Sequence, residues 1–291
     1  MDNLMTNYDH IISKDFLDLN KLAEKEKINY LKAKPFPNIE LNNLFNESFL
    51  TKVLNEFPDL KELNKSQAYK GKNEIKLSNK NYNEFPTIIK SFIDFLNSTA
   101  FLNFLQKLTS IKEDLKADPY LEGGGLHEIK KGGVLKIHTD FNRHPLLDLD
   151  RRVNVLIYLN KDWKDSYGGH LELWNNDISK CEKKIAPVFN KMAIFSTTDF
   201  SNHGHPNILN CPENVSRKSI ALYYFSSGRP QNEVQGKHLK NRTNFKSRLG
   251  VENDAYEQKE NFKNFLRNFK LYKLMKNFEK KYIRKNKKNK F

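Results

Sequence analysis

The sequence predicts a mainly β domain of the jelly-roll type, a sandwich or barrel of short strands, with helices packed on its outside. In class terms it is α+β. After Pro119 the chain breaks into short apolar or alternating runs separated by Gly, Pro and Asn, as expected of many short strands joined by turns. Before residue 118 the apolar residues recur instead at helical spacing. The third observation is charge. The 291-residue chain carries +15, but twelve of its fifty Lys and Arg fall within 261–291, against one acid, Glu279. The basicity is therefore concentrated in the tail, which weakens any reading of the body as a nucleic-acid groove. Three regions follow: a helical N-terminal region, 1–117, packing on the core; a β core, 118–230; and a C-terminal extension, 231–291, ending in a basic helical tail.

Residues 9–30 read as a weak helix around Ile11, Ile12, Phe16 and Leu19, ended by Pro35 and Pro37. Asn46 can cap a helix whose apolar face is Phe49, Leu50, Val53, Leu54 and Phe57. Residues 62–83 are polar and read as loop. Pro86 suits a first helical position, ahead of Ile88, Ile89, Phe92, Phe95 and Leu96. Ser98 can cap a further helix, with Phe101, Phe104, Leu105 and Leu108 on one side. In the core, 126–130 and 134–140 alternate around Lys131-Gly132-Gly133 and read as a hairpin. Val153–Leu159, Gly169–Trp174, Lys191–Ser196 and Ser219–Phe225 read as strands. Gly123-Gly124-Gly125 has no strand–helix context for a phosphate loop and reads as a bend or bulge. In the tail, Phe262, Phe265, Leu266 and Phe269 form one helical stripe. Leu271, Leu274, Met275, Phe278 and Tyr282 form a second.

Composition excludes several classes. Hydrophobic content of 38% is low, yet 12% aromatic residues argue against disorder. No apolar run approaches the length of a transmembrane helix, and MDNLMTNYDHIISKDF lacks the basic start and apolar core of a secretory signal. The two cysteines, Cys181 and Cys211, form no close-spaced metal or redox motif, which suits a reducing, cytoplasmic setting.

The chemistry gathers in three short stretches. His138-Thr139-Asp140 places an imidazole and a carboxylate at i and i+2, on one face of a strand. Such a pair can take two adjacent corners of a metal ion. A second His from a distant strand, in His203-Gly204-His205, closes a two-His, one-carboxylate set with positions left open, as suits non-haem Fe(II). Either His203 or His205 can be that third ligand. Arg217, followed two residues on by Ser219, offers a planar fork and a hydroxyl for a carboxylate. By period-two spacing, Asn154 and Leu156 share the face of Tyr158.

Five ordered blocks carry a resemblance: GGGLHEIKKGGVLKIHTDF (123–141), RRVNVLIYLNKDW (151–163), GGHLELW (168–174), FSTTDFSNHGHP (195–206) and SRKSIALYYF (216–225). They resemble the Fe(II)/2-oxoglutarate-dependent oxygenases, in the prolyl 4-hydroxylase-like branch. PFPNIELNNLFNESFLTKVLNEFP (35–58) is similar to the lead-in of bacterial members. The resemblance implies a double-stranded β-helix with the metal at one open end. It implies His138, Asp140 and His203 as catalytic metal ligands, because members with a His-Gly-x-Pro block use the His before the Gly. Arg217, Ser219 and Tyr158 would hold the 5-carboxylate of 2-oxoglutarate, with Leu156 and Asn154 lining the co-substrate. His127, Lys136 and His205 are further pocket candidates; Trp163 and Trp174 are expected to pack.

The implied cofactor is Fe(II), with 2-oxoglutarate and O2 as co-substrates and ascorbate as an optional reductant. The implied reaction oxidises 2-oxoglutarate to succinate and CO2 and places one oxygen atom on an unactivated C–H. Halogenases of this superfamily replace the carboxylate ligand with a small residue, so the intact Asp140 argues for hydroxylation. A prolyl residue of a protein or peptide is the first substrate expectation, and a small molecule, sugar or lipid precursor the second. The third reading is a non-catalytic scaffold whose basic tail binds nucleic acid or an anionic surface. The tail stripes could equally dock on the body or on a second copy of the chain in a homodimer. The loops Phe141–Asp150 and Thr197–Asn202 are the expected substrate selectors.

Overall fold

A computed structural model describes residues 8–234, 243–248 and 251. The basic tail, 261–291, with both of its apolar stripes, lies outside the described residues. The description below concerns one compact unit, Met1–Leu249. Among its described residues are four α-helices: α1 (Leu19–Lys32), α2 (Glu47–Asn55), α3 (Thr87–Leu96) and α4 (Thr99–Thr109). The strands before the core are β1 (Asn38–Asn42), β2 (Gln67–Lys70), β3 (Glu74–Asn79) and β4 (Lys116–Ala117). Then follow β5 (Gly125–Lys130), β6 (Val134–Thr139), β7 (Asp150–Tyr158), β8 (Leu171–Trp174) and β9 (Cys181–Ile185). The last four are β10 (Lys191–Ser196), β11 (Asn202–His205), β12 (Ser216–Ser226) and β13 (Asn244–Phe245).

All described strand pairs are antiparallel and belong to one curled sheet, in the order β1-β10-β7-β12-β5-β3-β6-β11-β8-β9. The result is the nearly closed jelly roll expected of a double-stranded β-helix. No helix among the described residues is long and apolar enough to cross a membrane.

Strand alternation divides the residues between two environments. On one face Val153, Val155 and Ile157 of β7, Ile220, Leu222 and Tyr224 of β12, and Met192 and Ile194 of β10 join the helices. There they meet Phe92 and Phe95 of α3 and Phe101, Phe104 and Leu108 of α4, all buried. Each such buried side chain contributes about 1.5–3 kcal/mol. On the other face Asn154, Leu156, Arg217, Ser219 and Tyr223 line a cavity. The helix caps follow the sequence: Asn46 Oδ1 accepts from Phe49 N–H at 3.1 Å, and Ser98 Oγ from Phe101 N–H at 3.4 Å. Pro86 is the residue before α3 rather than its first.

Three local expectations are corrected. The weak helix over 9–30 begins only at Leu19, where Asp18 caps it by accepting from Lys21 N–H at 2.9 Å. Residues 62–83 are not loop throughout: β2 and β3 form an antiparallel pair, and β3 enters the main sheet. The hairpin at Lys131-Gly132-Gly133 has its turn, with Gly133 N–H donating to Lys130 O at 2.9 Å. The turn does not reverse the chain, however: β5 and β6 follow one another in the same direction along one edge of β3, Leu77–Asn79 pairing with Leu126–Glu128 and Glu74–Ile75 with Val134–Leu135, while β2 takes the other edge.

Candidate active site

The cavity on the inward face has a volume of about 430 Å3. β6 and β11 lie side by side, with His138 directly opposite His203. Their ring centroids are 4.4 Å apart. Asp140 follows β6 and turns its carboxylate to both rings: Oδ1 is 3.6 Å from His138 Nε2, and Oδ2 is 3.3 Å from His203 Nε2. The candidate ligand atoms of the three residues all lie within 4.8 Å of one another.

The remaining ring nitrogens are committed to backbone carbonyls. His138 Nδ1 lies 2.7 Å from Lys136 O, and His203 Nδ1 2.9 Å from Ser201 O. Donation at Nδ1 leaves each Nε2 lone pair for a cation, the arrangement that orients a metal-binding imidazole. Burial, followed by the neighbouring His203, lowers the pKa of His138 and favours its neutral, ligating form. Burial alone would raise the pKa of Asp140. The Arg151 guanidinium, then His203 and His138, outweigh it and hold the carboxyl well below the usual range. Two imidazoles and one carboxylate suit Fe(II).

Arg151 completes the support for Asp140. Its Nη2 is 3.0 Å from Asp140 Oδ2, and its Nε donates to Asn154 Oδ1 at 2.9 Å. Asn154 Nδ2 donates in turn to Asp140 Oδ2 at 2.7 Å. The guanidinium lies 3.3 Å from the ring centroid of Tyr223 and 4.6 Å from that of Phe141. The sequence reading passed over Arg151. Its trace is the pair Arg151-Arg152 at the start of a strand that is otherwise buried.

Arg217 projects from β12 into the same cavity and is only 5% exposed. Its Nε donates to Gly169 O at 2.8 Å and its Nη2 to Tyr158 OH at 3.3 Å. No carboxylate of the described residues lies within ion-pair distance of it. A buried guanidinium without an acid is costly unless an anion joins it. Ser219 and Tyr158 are directly paired across β12 and β7, and both are buried.

The expected pocket residues line the cavity, with the exceptions of Lys136 and Tyr158. His138, Asp140 and His203 converge at one point. Arg217 and Tyr158 touch each other, with Ser219 alongside. Leu156 lines the cavity and packs with Tyr158, Leu171 and Phe195. Asn154 also lines it, but its hydrogen bonds go to Asp140 and Arg151. His127 and His205 line the cavity as well, and burial lowers the pKa of both well below the ordinary value. Trp163 packs against Tyr167, and its Nε1 donates to Gly168 O at 3.0 Å. Trp174 is partly buried and donates to Glu172 at 3.0 Å.

The jelly roll thus gathers two imidazoles and a carboxylate in the same cavity as a buried guanidinium with no carboxylate partner among the described residues, a set suited to a metal ion and an anionic co-substrate. Residues 124–225 match the family model described as the 2OG-Fe(II) oxygenase superfamily, and the chain carries an oxygenase domain of that superfamily. It is an Fe(II)- and 2-oxoglutarate-dependent dioxygenase.

Solved structures share the fold. A prolyl hydroxylase from Trichoplax adhaerens, in complex with a hypoxia-inducible factor oxygen degradation domain peptide, superposes with a TM-score of 0.53 at 19% identity. The match covers 74% of this chain and 94% of that one. A prolyl 4-hydroxylase from Phytophthora capsici gives a TM-score of 0.50 at 20% identity, covering 75% and 68%.

Proposed function

We propose that this hydroxylase acts on a prolyl residue of a protein or peptide, with His138, Asp140 and His203 holding Fe(II). Arg217 and Ser219, with the Tyr158 hydroxyl, bind the distal carboxylate of 2-oxoglutarate, and Leu156 and Asn154 line the space between. When bound, the iron supplies O2 activation coupled to decarboxylation of 2-oxoglutarate. The chain's residues position the partners. Arg151 and Asn154 fix the Asp140 carboxylate, and the backbone carbonyls of Lys136 and Ser201 fix the two rings.

One observation carries the site assignment: a buried Arg217, with no acid partner among the described residues, opens into the cavity that contains the His-Asp-His set. The prolyl substrate is supported by the fold shared with a prolyl hydroxylase that binds a peptide. A cytoplasmic setting belongs to the same reading, supported by two free thiols, Cys181 and Cys211.

The test has two stages. Purified protein given Fe(II), 2-oxoglutarate and O2 should release succinate, and Asp140→Ala should not. Mass spectrometry of peptide and metabolite pools should then find a gain of one oxygen atom on proline. Full turnover by Asp140→Ala would refute the metal assignment, and a product found only among small molecules would refute the prolyl reading.

A further inference from the structure

The His203-Gly204-His205 run delivers two imidazoles to the cavity, and the proposed metal set uses one. The second is not a packing residue of ordinary kind. His205 is 3% exposed, and both of its ring nitrogens are buried without a hydrogen-bond partner among the described residues. The backbone of Asn207 lies near the ring but completes no hydrogen bond to it. Leaving a polar atom buried in this way costs about 1–3 kcal/mol. An apolar residue at this position would carry no such cost.

The local backbone explains how the ring reaches the cavity. His203 pairs with His138, but His205 pairs with Leu135, so the register shifts by one residue between them. The extra residue lies on β6, so His203 and His205 keep the i and i+2 spacing that puts both rings on the cavity side of β11. Gly204 makes the close approach feasible. A Cβ there would sit 2.7 Å from both Leu135 O and Lys136 O.

His205 lies within electrostatic reach of both Arg217 and His138. It lines the same cavity as Arg217, His138 and His203, the residues proposed to hold the two ends of the co-substrate. Arg217 reaches across to Gly169 O, just ahead of β8, the strand next to β11. Across the cavity, Ser78, His127, Ser219 and Tyr158 form one rung over β3, β5, β12 and β7, each paired with the next. His127 Nε2 in this rung is also buried without a partner.

We infer that His205 is a hydrogen-bonding residue for the 2-oxo dicarboxylate, contacting it between the metal and Arg217, with His127 flanking the same ligand from the rung that contains Ser219. The inference rests on the site reading above. A neutral imidazole presents one N–H and one lone pair. A ring nitrogen that is buried in the cavity without a partner can therefore donate to a ligand oxygen.

The test is the affinity of 2-oxoglutarate, measured by calorimetry on Mn(II)-loaded protein under anaerobic conditions. His205→Val should weaken binding about tenfold, the loss expected for one hydrogen bond to a charged ligand. Mn(II) affinity should stay near that of the parent protein, and His205→Gln, which keeps a donor, should recover most of the loss. His127→Leu should weaken the ligand by a smaller factor. In the unmutated Zn(II)-loaded protein, adding 2-oxoglutarate should shift the His205 ring NMR signals, a readout that survives if the Val variant fails to fold. Arg217→Lys serves as the control. If it weakens 2-oxoglutarate while His205→Val does not and the ring signals stay still, the inference fails and the site reading stands. If neither substitution alters the affinity, the site reading itself fails.

Discussion

Arg217 offers the sharpest single test, because its environment makes opposite demands before and after co-substrate binding. In the unliganded protein the guanidinium is buried, with Gly169 O and Tyr158 OH as its hydrogen-bond acceptors. Replacing it with Lys keeps the charge but loses the planar fork and the Nε–H bond to Gly169 O. Loss of one charge-assisted hydrogen bond is worth about 1.5–3 kcal/mol, or about 10- to 150-fold in affinity for 2-oxoglutarate. Arg217→Met goes further. It removes an unpaired buried charge, which is neutral or stabilising, and leaves two acceptors unsatisfied at about 1–3 kcal/mol. These effects oppose each other, so the melting temperature of the ligand-free Met variant should stay within a few degrees of the parent. The ligand response should not survive. Saturation at about 100 times Kd adds about 2.7 kcal/mol to the parent protein, a rise of about 5 °C or more. The assay is a thermal melt of Mn(II)-loaded protein with and without 2-oxoglutarate, paired with the 2-oxoglutarate KM of the Lys variant. An unchanged KM, or a Met variant still stabilised by 2-oxoglutarate, would show that another cation binds the distal carboxylate.

Three further outcomes follow from particular contacts. Arg151→Met removes the cation 3.0 Å from Asp140 and should weaken metal binding about 10- to 100-fold, read by chelator competition; parent-like affinity would mean that Asn154 alone orients the carboxylate. Gly204→Ala forces a Cβ against two backbone oxygens and should destabilise by about 2–4 kcal/mol in urea melts, with metal affinity falling as His203 moves away from His138; a neutral result would show that β11 can shift freely. The hydrogen bond from Arg152 is the main reason that the Glu113 pKa lies below its ordinary 4.5. A lowered folded-state value means stability that is present above 4.5 and lost as pH falls through the folded pKa, so Glu113→Gln should flatten the acid limb of a stability–pH curve; identical limbs would rule the pair out.

The parts of the site legible in the sequence are those set by spacing along one strand. His138 and Asp140 sit at i and i+2, and Arg217 and Ser219 do the same on β12. The helix caps at Asn46 and Ser98 were legible for the same local reason. β3 was not. Its residues Glu74, Lys76 and Ser78 face a polar cavity while Ile75 stays exposed on the other face, so its short alternation lacks the buried apolar face that marks other strands. Arg151 was hidden by a tertiary detail. The register shift between Tyr224 and Phe225 on β12 sets Phe225 against Arg151, where simple alternation would pair the next residue. Arg151 reaches the cavity while Arg152 turns to Glu113, Ser226 and Glu233. No count along the sequence reveals which of two adjacent arginines points inward. His203 and His205 are ambiguous for a different reason: at i and i+2 they share the cavity face of β11, so spacing alone does not choose between them.

Strand register is therefore the quantity on which both fold and chemistry depend. A slip of one residue in β12 would carry Lys218 and Ile220 into the cavity and Arg217 and Ser219 into the helix-facing core. Such a slip would bury a charge in the apolar layer between sheet and helices and strip the cavity of its fork at the same time. The chain opposes it at both ends of the strand. Asn160 clamps Lys218, accepting from its N–H at 2.7 Å and donating to its carbonyl at 3.1 Å. Near the other end the Tyr224 hydroxyl donates to Leu96 O at 2.8 Å, locking the outward face to α3. Both clamps lie outside the cavity and neither touches the candidate ligands. Yet they decide which face of β12 meets the co-substrate, so the helical layer sets the position of Arg217 as firmly as the cavity residues do.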